Sequence, residues 1–281
     1  MKQFLAIIEE TFREAIAKKT LIGFFIFSTL IIVIAFFVFQ SQDVRTAMQQ
    51  VQETSHKGND ADMMAAVIKV SVMNIFYVII SNILYFIIVC VGIFATSGLI
   101  NSQMEKGAID LLLSKPVPRW IYILGRYAGG VLIIALEASW FILGMWVVVS
   151  TATGMWNISF LLCAFFITLG FAGIFSIVVL VAVLSRSSAL SIIIGIGLFF
   201  INGLISLGHG IETMVATNGK SWLTMIANIL YYIFPSSTDM GSNMGNLLMG
   251  KSISWEPVFL TIALSGVYLY LAMYAFSKKE F

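Results

Sequence analysis

Charge is what this 281-residue sequence has least of: only 11% of its residues are Asp, Glu, Lys or Arg, against 59% hydrophobic. A soluble domain cannot hide that much apolar surface, so an ordinary water-soluble fold is excluded. Proline is sparser still, with four in the chain. Two cysteines, Cys90 and Cys163, lie inside separate apolar runs and offer neither a disulfide framework nor a metal-ligand spacing. His56 and His209 are far apart and belong to no zinc-type pattern. No basic cluster stands in a polar domain, and the net charge of +2 leaves no footprint for nucleic acid. No nucleophile, base and orienter set appears, so catalysis is not expected on this chain.

What is present is apolar length. A hydrocarbon core of about 30 Å takes roughly 20 apolar residues of helix. With a mean hydropathy of +0.97, the chain supplies six such runs: Leu21 to Phe39, Ile75 to Ile100, Ile121 to Ser150, Ile158 to Leu184, Ala189 to Leu207 and Pro257 to Phe276. The expected fold is therefore an all-α membrane protein, one domain of six transmembrane helices over residues 1–281. Residues 40–74 and 208–256 are expected as external loops. Trp222 to Phe234 is apolar but too short to span, and it stops at Pro235, which suits a re-entrant or interfacial helix. The first run begins about 20 residues in and follows an acid-containing segment, so a removable signal peptide is not expected.

Lys and Arg set the orientation. With the N-terminus inside, eleven of the sixteen fall on or near the cytoplasmic side and five outside, which places both termini in the cytoplasm. Residues 1–19 read as an amphipathic helix lying flat at the membrane interface. At 100° per residue Phe4, Leu5, Ile8, Phe12 and Ile16 share one arc, and Ile7 is the exception. Small residues four apart, such as Gly125 and Gly129, Ala172 and Ser176, and Ser191 and Gly195, are expected to let helix backbones approach closely.

The loop between the second and third runs carries the most information. Ser102 and Glu105 stand in capping-box spacing and predict a helix start, while Pro116 and Pro118 end it after about three turns. This short helix presents Met104, Ala108, Ile109, Leu111, Leu112 and Leu113, yet Lys106, Asp110, Lys115 and Arg119 keep it out of lipid. Its apolar side requires a protein partner or its own bundle.

The run from Glu105 through Gly107, Ala108, Asp110, Leu111, Leu112, Leu113, Ser114 and Pro116 to Arg119, followed by Gly125 and Arg126, resembles the coupling-helix region of ABC-2-type permeases. Arg126 stands where that family usually has lysine. In plan the chain is also similar to the permeases of exporters that serve nitrous-oxide reductase maturation. The resemblance implies an N-terminal elbow helix and a coupling helix at Glu105 to Ser114 seated in a cleft of a separate cytoplasmic ABC ATPase. It also implies a second permease copy, most simply a homodimer, in a prokaryotic cytoplasmic membrane. ATP and magnesium would belong to the ATPase, with no cofactor on this chain. The residues alone leave open an ATP-independent carrier or a membrane scaffold.

Three further features need an account. Gly245 to Ser252 matches the phosphate-loop pattern G-x-x-x-x-G-K-S, but Gly241, Ser242 and Asn243 precede it where a buried strand is needed, and Pro257 follows closely. It is read as coincidence. Met240, Met244 and Met249 are read as packing rather than as a copper site. Glu137, near the middle of the third run, would cost roughly 2.5 kcal/mol or more as a bare charge in the bilayer. It is expected either as a neutral acid bonded to a neighbouring helix through a serine or carbonyl, or as the lining of a cavity at a dimer interface.

Overall fold

A computed structural model describes residues 2–40, 82–98, 118–153, 156–185, 187–214 and 222–278. The described residues form helices α1 (Lys2–Ala17), α2 (Thr20–Gln40), α3 (Asn82–Gly98), α4 (Arg119–Thr153), α5 (Cys163–Ser185), α6 (Ser188–Met214), α7 (Trp222–Ile233), α8 (Ser237–Leu248) and α9 (Glu256–Lys278). A single 3-10 turn, Ile158–Leu162, leads into α5, and the Asn157 side chain caps its start by accepting from the Ser159 amide at 3.0 Å.

Among the described residues, five helical stretches are long and apolar enough to cross a membrane: Thr20–Val38, Arg119–Thr151, Ile158–Ser185, Ser188–Ser206 and Glu256–Lys278. They correspond to five of the six expected runs. Of the remaining one, only Asn82–Gly98 lies among the described residues, and it is an apolar helix.

α5 is the axle of the bundle. Its middle, residues 170–179, is buried on all sides, and α4, α6, α8 and α9 pack around the helix. Lipid and side chains are equally apolar, so association here depends on close contact rather than on escape from water. Glycines provide the close contacts. A Cβ added at Gly130 would run into the Phe175 ring, at Gly195 into Val178 and Ile93, and at Gly173 into Thr261 and Pro235. The ring of Phe175 lies between those of Tyr127 and Phe171, with centroids 5.6 and 5.1 Å away. The Tyr127 hydroxyl donates to the Ala172 carbonyl at 3.0 Å, joining α4 to α5.

The segment expected as the second external loop contains helix. α6 continues to Met214, and α7 runs Trp222–Ile233 before the chain turns at Pro235. That corner touches α5 at Gly173, ten residues or about 15 Å from Cys163. α8 then returns along α5 to meet the Ile158–Leu162 turn. The α7–α8 hairpin thus dips to the middle of α5 and leaves on the side it entered. It is pinned by the Tyr85 hydroxyl, which donates to the Ser237 carbonyl, and by Ser206 donating to Asp239 at 2.6 Å. Met240 and Met244 are buried in this packing, while Met249 is only half-buried.

Candidate functional site

The functional segment expected from sequence, residues 101–117 with Met104, Glu105, Gly107, Ala108, Asp110, Leu111, Leu112, Leu113, Ser114 and Pro116, lies outside the described residues. Its two flanks, Gly98 and Pro118, are described, and they define the end of the bundle from which it departs.

α1 organises that end. The residues it buries are Ile7, Thr11 and Ala15, a single i, i+4 stripe laid along the start of α4. Ile7, the one apolar residue off the expected arc, packs on Gly125, and Thr11 packs on Gly129. A Cβ at either glycine would come within 2.8 Å of α1, so both positions need glycine for the two backbones to lie this close. Of the expected arc, Leu5 and Ile16 are exposed, at 58% and 50%, while Phe4, Ile8 and Phe12 are half-buried and Phe12 packs against the core.

Next to this seam sits a buried ion pair. The Arg126 guanidinium is 2% exposed, and its Nη1 donates to Glu14 Oε2 at 2.5 Å, while Nη2 stands 3.6 Å from Glu10 Oε1. The guanidinium also lies 5.5 Å from the centre of the Tyr122 ring, which itself stacks on Phe276 of α9. A planar guanidinium suits this arrangement, since it takes carboxylates on its edge and an aromatic ring on its face. The sequence marked Arg126 only as a departure from lysine. The signal for its role was Glu10 and Glu14, one helical turn apart on α1.

Glu14 also holds Lys18 at 2.8 Å, and Lys18 Nζ reaches the Gly98 carbonyl at 3.4 Å. The chain turns from α1 into α2 at Lys19, whose φ of 57° lies in the left-handed region. That conformation usually falls to glycine or asparagine at a helix C-terminus. On the other flank, Pro118 starts α4 by accepting from the amides of Ile121 and Tyr122, and Arg119 donates to the Ser277 carbonyl at 3.3 Å. Both flanks of the 99–117 segment are therefore bonded into one end of the bundle, built from α1, α3, α4 and α9.

Glu137 is elsewhere. It lies near the middle of α4, 7% exposed, facing a hollow between α2, α3 and α4. Ser28 of α2 is its polar neighbour there.

The phosphate-loop look-alike has the wrong architecture. Gly245 lies within α8, and the amides of Met249, Gly250 and Lys251 donate to the carbonyls of Gly245, Leu247 and Asn246. Those amides close a helix C-terminus around Gly250 at φ 67°, and a helix stands where the motif requires a strand.

Residues 5–281 match the family model for ABC-2 family transporter proteins, and the chain belongs to that family. It is a membrane component of an ABC transporter, of a kind that is not itself catalytic and that normally pairs with an ATP-binding subunit. No curated protein matches the sequence.

Proposed function

We propose that this chain is the permease subunit of an ABC exporter in a prokaryotic cytoplasmic membrane. Two copies form the transmembrane unit, both termini are cytoplasmic, and the 105–114 helix of each engages a separate ATPase that holds the ATP and magnesium. Closure of the ATPases moves the coupling helices as rigid bodies, and that motion switches the bundle between inward and outward states.

The observation that supports this reading most is the anchoring of the flanks. A segment that transmits force must be tied to what it moves. Lys18 on Gly98 and Arg119 on Ser277 bind the two flanks to a bundle end stiffened by the Arg126–Glu14 pair. A passive loop would need no such ties. The N-terminal elbow role follows from the same contacts, with α1 carrying one carboxylate that serves both Lys18 and Arg126.

Purification in mild detergent from native membranes tests the reading. A P-loop ATPase is expected to accompany the wild type and to be lost from the Leu112→Asp, Leu113→Asp variant, with the permease still monodisperse. Retention of the same ATPase by that variant refutes the proposed docking helix. Isolation of the wild type with no nucleotide-hydrolysing partner favours an ATP-independent carrier.

A further inference from the structure

The hollow beside Glu137 has a composition that defines a ligand. About 350 Å³ there is free of atoms, its open side included, and a water-sized group can be centred within about 20 Å³ of it. That is room for one group the size of a water molecule or an ammonium. Phe24 and Phe27 from α2 and Phe141 from α4 line it; among the described residues Ser28 and Glu137 are its only polar side chains, and the rest of the lining is aliphatic apart from Gly92. The buried Oε2 of Glu137 has no hydrogen-bond partner.

A carboxylate shut into an apolar site needs a proton or a cation to balance it. Among the described residues, none that lines the hollow is a lysine, arginine or histidine. The carboxyl there is therefore balanced by a proton or by a cation that none of these residues supplies. Three phenyl rings beside one carboxyl form a setting that favours ammonium over a neutral polar group, because aromatic faces attract cations and repel the lone pairs of an alcohol. Its aliphatic lining of Ile31, Ile87, Ile88, Val91 and Ile134 suits a hydrocarbon chain.

We propose that this hollow binds a lipophilic amine, its ammonium group donating to Glu137 and Ser28 and its alkyl chain lying against the aliphatic side chains of α2, α3 and α4. The site lies within one chain and needs neither a second copy nor an ATPase. It goes beyond the reading of the chain as a permease and is tested without it.

The test uses the full chain in lipid nanodiscs and two photoreactive probes, a diazirine dodecylamine and the matching dodecanol, at equal concentration in the bilayer. Labelled residues are mapped by mass spectrometry. A hydrogen bond to a charged group contributes about 1.5–3 kcal/mol, which corresponds to a preference of ten-fold or more. The amine is therefore expected to label the hollow at least about ten-fold more than the alcohol. Unlabelled dodecylamine should compete, and dodecanol should not. Glu137→Gln should bring amine labelling down to that of the alcohol, whose own labelling stays unchanged and reports an intact fold. Equal labelling by both probes in the wild type overturns the proposal, and that comparison requires no variant. Amine labelling that persists in Glu137→Gln overturns it as well.

Discussion

Replacing Gly125 and Gly129 together by alanine probes the α1–α4 seam on which the bundle end is built. The new Cβ atoms would lie 2.9 Å from Ile7 Cβ and 2.8 Å from Thr11 Cβ. Those atoms are fixed to the α1 backbone, so no rotamer change relieves the contact. To regain an ordinary separation of about 3.5 Å or more, α1 must retreat by roughly 0.6 Å. The Arg126–Glu14 bond, 2.5 Å at present, lengthens with it. Overpacking of this kind costs about 1–3 kcal/mol. Alanine also favours helix in α4, but α4 is helical whether or not α1 is docked, so that gain does not offset the cost. At about 2 kcal/mol the undocked population rises about 30-fold. Ala15 is 1% exposed in the same stripe, so Ala15→Cys reports undocking by its alkylation rate, read peptide by peptide. The double variant should raise that rate about 30-fold. Gly266→Ala on α9, where a Cβ meets nothing within 4 Å, should leave it unchanged. A rise of less than about three-fold, well under one RT-scaled decade, would refute the close-contact reasoning.

Glu14→Gln leaves the buried Arg126 facing only the more distant Glu10, and a thermal midpoint lower by an amount equivalent to about 2–4 kcal/mol is expected. Glu14→Gln combined with Arg126→Met should be milder than Glu14→Gln alone, because no charge is then left buried without its partner. Tyr85→Phe removes the bond to Ser237 and should destabilise the hairpin by about 1–2 kcal/mol, seen as faster hydrogen exchange in α8 without change in α1. Asn243 bonds both the carbonyl and the amide of Ser254, at 2.8 and 3.0 Å. Asn243→Ala should therefore open residues 251–255 to limited proteolysis while α9 stays protected.

Helix positions were legible because lipid imposes a simple length rule. The first, third and last apolar runs agree with α2, α4 and α9 to within a few residues. Pairing within the bundle was legible only in part. Gly125 and Gly129 announced a close approach, but nothing local named α1 as the partner. The amphipathic arc of α1 drew attention to a side that is only partly packed, whereas the buried stripe of Ile7, Thr11 and Ala15 is too mixed in polarity to register as a face. α8 was hidden for a related reason. Its sequence is rich in Ser, Gly and Asn, the composition of a loop, and it is helical because α5, α6 and α9 enclose it. Glu137 was conspicuous in sequence as a carboxyl in an apolar run. Its surroundings come from α2 and α3, more than 40 residues away, and no spacing could predict them.

The central claim is that residues 105–114 meet a nucleotide-hydrolysing subunit on the cytoplasmic side. A photoreactive amino acid at Leu112, activated in inside-out vesicles from cells making the full transporter, measures this directly. One dominant adduct is expected, with a P-loop ATPase, and its yield should change when ADP is trapped by vanadate after hydrolysis. Adducts confined to lipid or to this chain itself, or an ATPase adduct formed equally well from Trp156 at the opposite end of the bundle, would contradict it.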